Sequence, residues 1–138
     1  MRYLLDTAPW ANSVLIPEVI PARIRTVLNG SEPKGLCSVS LLECAILHRL
    51  GRLQLKGELS EFFRRGVASD IELLELTPGI ASATNDLPKN FPGDPFDRVI
   101  CVTAKVMNLT LITCDRAIRD ARFCKVEFYP FKLSRLNA

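Results

Sequence analysis

Short apolar runs alternate along this chain with stretches whose apolar residues recur at helical spacing. Arg2 to Leu5 is a brief run ending in Asp6-Thr7, which predicts a buried strand leading into a turn, after which Pro9 opens a helix. Leu15 to Leu28 is helical in pattern with a break near Pro17 and Pro21, and Asn29-Gly30 with Pro33 closes it. Leu36 to Val39 predicts a second strand. Ser40-Leu41-Leu42-Glu43 has the spacing of a capping box, and Leu42, Ala45, Ile46 and Leu50 continue at helical period, so a helix is expected from Ser40 to about Leu50.

Further on, Leu59, Phe62, Phe63 and Val67 mark a helix from Glu58 to Ser69, and Ile71 to Leu76 reads as a strand. Pro78 starts a short helix through about Asn85, and Leu87 to Gly93 is a loop by composition. Asp94 as N-cap and Pro95 at the first helical position open a helix to about Asn108. Leu109 to Cys114 is a buried strand, Asp115 to Asp120 a short helix and Lys125 to Tyr129 a last strand. Strands separated by helices along the whole chain predict a parallel sheet covered on both faces.

Composition narrows the class. At 138 residues and 15.4 kDa the chain fits one domain, residues 1–138, with 48% hydrophobic and 24% charged content. No apolar run approaches the roughly 20 residues needed to span a bilayer, and Met1 to Asp6 does not read as a signal peptide, so no membrane association and a cytoplasmic location are expected. Cys37, Cys44, Cys101, Cys114 and Cys124 lack C-x-x-C spacing and predict buried reduced thiols. With His48 as the one histidine, a zinc site lacks ligands. The net charge of +3 permits an anionic partner without demanding one.

Four acids occupy comparable places: Asp6 past the first strand, Glu43 and Asp97 in the first turns of helices, and Asp115 past a later strand. In a doubly wound sheet the carboxyl ends of the strands and the N-termini of the following helices share one edge, so the four are able to converge. Each also has a capping explanation except Asp6, whose charge at the mouth of an apolar strand would be costly if buried unpaired. Crowded carboxylates raise one another's pKa until positive charge is supplied. Oxygen-only ligation points to Mg²⁺ or Mn²⁺, and such ions serve phosphodiester hydrolysis.

Three blocks then carry a resemblance: Tyr3-Leu4-Leu5-Asp6-Thr7, the stretch Ser38 to Leu55, and DPFDRVICVTAKVMNLTLITCD from Asp94 to Asp115. Together they resemble the signature blocks of PIN-domain proteins, particularly VapC toxins. That likeness implies a three-layer α/β/α sandwich with a mainly parallel central sheet and an Mg²⁺- or Mn²⁺-dependent endoribonuclease. It also implies inhibition by a VapB-like antitoxin and assembly as a homodimer. It makes Asp6, Glu43, Asp97 and Asp115 the catalytic and metal-binding acids, with Asp94 and Thr113 in support. The chain departs from the family pattern at Ala8-Pro9-Trp10 and at Phe91-Pro92-Gly93, in loops that border the cleft.

Around these acids, Arg98, Arg116, Arg119 and Arg122 are candidates for RNA phosphates, weighed against solvated helix faces. His48, five residues after Glu43, is turned away from it and takes no catalytic part. Trp10 is assigned to packing in preference to stacking on a base. Leu15, Ile16, Val19 and Ile20, with Leu53, Leu55, Leu59, Phe62 and Phe63, offer apolar surface for an antitoxin peptide or for the core. Competing readings are a PIN-type nuclease acting on DNA or in RNA processing outside a toxin system, and a non-catalytic α/β module whose acids merely cap helices. Ala8 stands where a haloacid-dehalogenase-type phosphatase needs its second Asp, and no phosphate-binding glycine motif is present.

Overall fold

The computed structural model describes residues 1–131. Five strands, β1 (Tyr3–Leu5), β2 (Lys34–Cys37), β3 (Ile71–Leu74), β4 (Thr110–Thr113) and β5 (Val126–Phe128), form one sheet in the order β3-β2-β1-β4-β5. All four pairings are parallel, as crossovers through helices require. The helices are α1 (Thr7–Leu15), α2 (Ala22–Asn29), α3 (Val39–Arg49), α4 (Leu59–Gly66), α5 (Pro78–Ala83), α6 (Pro95–Val106) and α7 (Arg116–Ala121), with 3₁₀ turns at Pro17–Val19 and Thr84–Asp86.

Alternation along each strand builds two cores, one on each face of the sheet. Leu5, Leu36 and Ile112 face Trp10, Ala11, Ile24, Cys44 and Phe62, while Leu4, Cys37 and Leu111 face Ile80, Ile100, Cys101, Ala104 and Ile118. Helices thus cover both faces, giving the three-layer α/β/α arrangement.

The structure corrects several local expectations. The first helix starts at Thr7, not Pro9: Asp6 is its N-cap, and Pro9 stands in the first turn, where its missing N–H has no helical acceptor to lose. Leu15 to Leu28 breaks at its two prolines as expected: Pro17 opens a 3₁₀ turn and α2 begins after Pro21. β2 runs from Lys34, not Leu36, since Lys34 and Gly35 pair with Ile71 and Glu72. β3 stops at Leu74 because β2 ends at its register partner Cys37, leaving Glu75 and Leu76 with no strand to pair.

The capping box is not formed either. Ser38, not Ser40, precedes α3, and Ser38 makes no side-chain cap. Ser40 and Glu43 turn instead toward α1. By contrast Asp94 caps α6 through the N–H groups of Phe96 and Asp97, and Asp115 caps α7 through that of Ile118. All five cysteines are free thiols, four of them buried.

Candidate active site

The topology assembles the site. Asp6 follows β1 and Asp115 follows β4, two neighbouring strands at the point where the strand order reverses. Glu43 lies in the second turn of α3, which leaves the same edge after β2. α6 returns to the start of β4 through Asn108, whose φ of 54° suits the left-handed end of a helix, so its N-terminus with Asp94 and Asp97 stands at that edge as well.

Asp6 is buried and doubly held. Its Oδ1 accepts from the Thr7 N–H at 2.8 Å, and its Oδ2 accepts from Thr113 Oγ1 at 2.7 Å. The Thr113 hydroxyl also accepts from the Asp115 N–H at 3.0 Å, so one buried side chain joins the ends of β1 and β4. Burial pushes the Asp6 carboxyl up to about 6, against the lowering effect of these two bonds and with Asp115 and Asp94 adding to the rise.

Glu43 accepts from Thr7 Oγ1, which also lies 2.9 Å from Ser40 Oγ. Burial raises the Glu43 carboxyl to about 7, the Thr7 bond lowers it, and Asp6, Asp94 and Asp115 raise it again. Asp97 stands apart: no hydrogen bond to its carboxylate forms among the described residues. Burial and then the charges of Asp6, Asp94, Asp115 and Glu43 push it up to about 9. All four other acids thus act in the same direction on the Asp97 carboxyl, each disfavouring its charged form.

Over residues 3–123 the chain matches the model of the PIN domain. The chain belongs to the PIN-domain family. It is 28% identical over 106 residues to Ribonuclease VapC22 of Mycobacterium tuberculosis, covering 77% of this chain and 81% of that protein. Among solved structures it resembles a chain of VapBC2 from Rickettsia felis bound to a DNA fragment from their promoter, with a TM-score of 0.71, 16% identity and coverage of 93% and 98%. It also resembles a chain of DNA-bound VapBC from Salmonella typhimurium, with a TM-score of 0.70, 21% identity and the same coverage. At these identities the two structures report the fold.

The side chains at this edge of the PIN domain are carboxylates, the donor type that hard cations take. Among the described residues no three His, Cys, Asp or Glu side chains draw together tightly enough to hold an ion unaided, which agrees with the mutual repulsion of partly buried carboxylates. An ion of the Mg²⁺ kind keeps several waters and needs only one or two direct carboxylates. The donors are all oxygens, and Asp97 is a partly buried carboxylate that accepts no hydrogen bond among the described residues.

Other candidates separate. Arg98 is half-buried, with its guanidinium 3.5 Å from the carbonyls of both Thr84 and Phe91 and above the Phe91 ring, which sets it against the loop before α6. Arg116 is exposed beside Asp115 at the site edge. Arg119 sits 4.4 Å over the Phe128 ring and bonds Asp120, while Arg122, at φ 52°, ends α7. Trp10 is fully buried against Phe62 and Phe63 and donates from Nε1 to the Gly66 carbonyl at 2.8 Å, which removes it from base stacking. Thr7 and Ser40 are the residues whose place the sequence did not reveal, although Thr7 adjoins Asp6 in the first signature block.

Of the proposed apolar surface, Ile20, Leu53 and Phe62 are core residues. Val14, Leu15, Ile16, Leu55 and Phe62, with Glu58, Glu61 and Arg65, line a cleft of about 430 Å³ between the end of α1 and α4. No helix among the described residues is long and apolar enough to cross a membrane.

Proposed function

We propose that this PIN domain is a metal-dependent endoribonuclease, the VapC-like toxin of a toxin–antitoxin pair, acting as one nuclease domain in the cytoplasm. The observation that carries the reading is that the sheet order and the helices that follow the strands bring Asp6, Glu43, Asp94, Asp97 and Asp115 to one edge of a PIN fold, with no hydrogen bond to the Asp97 carboxylate among the described residues. The ribonuclease name of the Mycobacterium tuberculosis relative supports RNA as the substrate.

In this reading Asp6, Glu43, Asp97 and Asp115 would hold Mg²⁺ or Mn²⁺, which when bound supplies an activated water and offsets charge on the scissile phosphate. The chain's own residues prepare the place. Thr113 fixes Asp6 relative to Asp115, and Asp94 caps α6 so that Asp97 is presented from a rigid first turn. Arg116 steers RNA phosphates toward the edge. The cleft between α1 and α4 accepts a segment of a VapB-like antitoxin, and the protein assembles as a homodimer.

The test is cleavage of a fluorogenic RNA by metal-free protein before and after Mn²⁺ is added. Wild type should cut only with metal, and Asp6→Asn or Asp97→Asn should abolish cleavage while circular dichroism shows retained folding. Undiminished cleavage by those folded variants would overturn the site, and RNA untouched under all conditions would overturn the activity.

A further inference from the structure

The five acids differ in how they are held. Asp6, Asp94 and Asp115 each cap a helix and accept from backbone N–H groups of its first turn. Glu43 has no such support, because it lies one turn inside α3, where the backbone N–H groups are already engaged. Its hydrogen-bond partner is the hydroxyl of Thr7, which belongs to a different helix.

A threonine hydroxyl carries one proton. With Glu43 ionised, Thr7 Oγ1 donates to the carboxylate, so the contact of 2.9 Å with Ser40 must run from the serine hydroxyl into Thr7. Ser40 and Glu43 lie three apart on the same face of α3, and Ser40 and Thr7 are both buried. The chain of hydroxyls is therefore shielded from water and satisfied within itself. Thr7 also lends its backbone N–H to Asp6. One residue thus touches two acids, Asp6 by its amide and Glu43 by its hydroxyl.

We infer that Thr7, oriented by Ser40, is a positioning residue that sets Glu43 against Asp6 and so determines the spacing at which the site takes a divalent cation. The inference rests on the metal-dependent reading above. Side chains that orient a metal's carboxylate ligands from behind change affinity by about 10- to 100-fold when removed. Valine keeps the shape of threonine without its hydroxyl; serine keeps the hydroxyl without the methyl.

The experiment titrates Mn²⁺ alone into the metal-free full chain at pH 7 by calorimetry, for wild type, Thr7→Val, Thr7→Ser, Ser40→Ala, the double variant of Thr7→Val with Ser40→Ala, and Asp97→Asn. Thr7→Val should weaken Mn²⁺ binding about 10-fold with circular dichroism unchanged, Thr7→Ser should stay near wild type, and Ser40→Ala should weaken it with no further loss in the Thr7→Val background. Excess Mn²⁺ should restore kcat of Thr7→Val, because the hydroxyl acts through Glu43. If Thr7→Val binds like wild type while Asp97→Asn does not, the positioning role is wrong and the metal reading stands. Equal losses in Thr7→Ser and Thr7→Val would make the effect one of shape and overturn the role. If Asp97→Asn also binds normally, the metal reading fails and takes the inference with it.

Discussion

Replacing Asp97 with asparagine should make the metal-free protein more stable while destroying its response to metal. In the folded chain the Asp97 carboxyl is pushed up to about 9 from an ordinary value of 3.8, chiefly by burial and then by four neighbouring charges. At pH 7 the folded protein therefore keeps a proton that the unfolded chain has released. Holding it across about three pH units costs roughly 4 kcal/mol as an upper limit, at about 1.4 kcal/mol per unit. Asparagine has the same shape and carries no such cost. Because the folded state binds more protons between about pH 4 and pH 9, wild-type stability falls as pH rises through that window. The advantage of Asp97→Asn should accordingly be near zero at pH 4 and grow toward pH 8. Urea unfolding in EDTA at both pH values measures it. Adding Mn²⁺ at about 100 times its dissociation constant should then stabilise wild type by about 2.7 kcal/mol and leave the variant unmoved. A variant no more stable than wild type at pH 8, or an advantage independent of pH, would mean that burial does not hold a proton on Asp97.

Further expectations use other parts of the molecule. The raised carboxyls of Asp6, near 6, and Glu43, near 7, add to the same fall in metal-free stability with rising pH, and saturating Mn²⁺ should flatten the profile measured by thermal unfolding. Gly66→Ala would place a Cβ 2.5 Å from Trp10 Cζ2, so a loss of roughly 1–3 kcal/mol is expected in urea unfolding, with Mn²⁺ affinity unchanged. Arg116→Ala should raise KM for RNA and lower the salt dependence of binding by about one ion, read from KM at several salt concentrations. Arg98→Ala should instead leave that salt dependence alone and speed proteolysis within residues 87–93, whose carbonyl contact it removes.

What the sequence disclosed depended on how local the cause was. Asp94-Pro95 and Asp115 announced their helices because an N-cap acts within three residues, and the structure forms both caps. Apolar runs at Leu4, Leu111 and Ile112 announced buried strands, and with them the parallel α/β layering. The start of β2 was hidden because Lys34 is a buried lysine whose partner Asp70 lies far along the chain, and because Gly35 is needed where a Cβ would meet Leu74 at 2.8 Å. Ser40 and Glu43 carry a sound local signal for a capping box, yet a hydroxyl from α1 outcompetes it, since both side chains are buried where Thr7 arrives. Arg98 looked like a phosphate ligand by position alone. Only the folded loop shows the two carbonyls that stand 3.5 Å from its guanidinium.

In the proposed function, acids from four separate elements meet to bind one kind of hard cation. Anomalous diffraction from crystals grown with Mn²⁺ tests it directly. A manganese peak should be bordered by Asp6, Glu43, Asp97 and Asp115 and be absent in crystals of Asp97→Asn. Manganese bound elsewhere on the protein, with these four carboxylates empty, would contradict it.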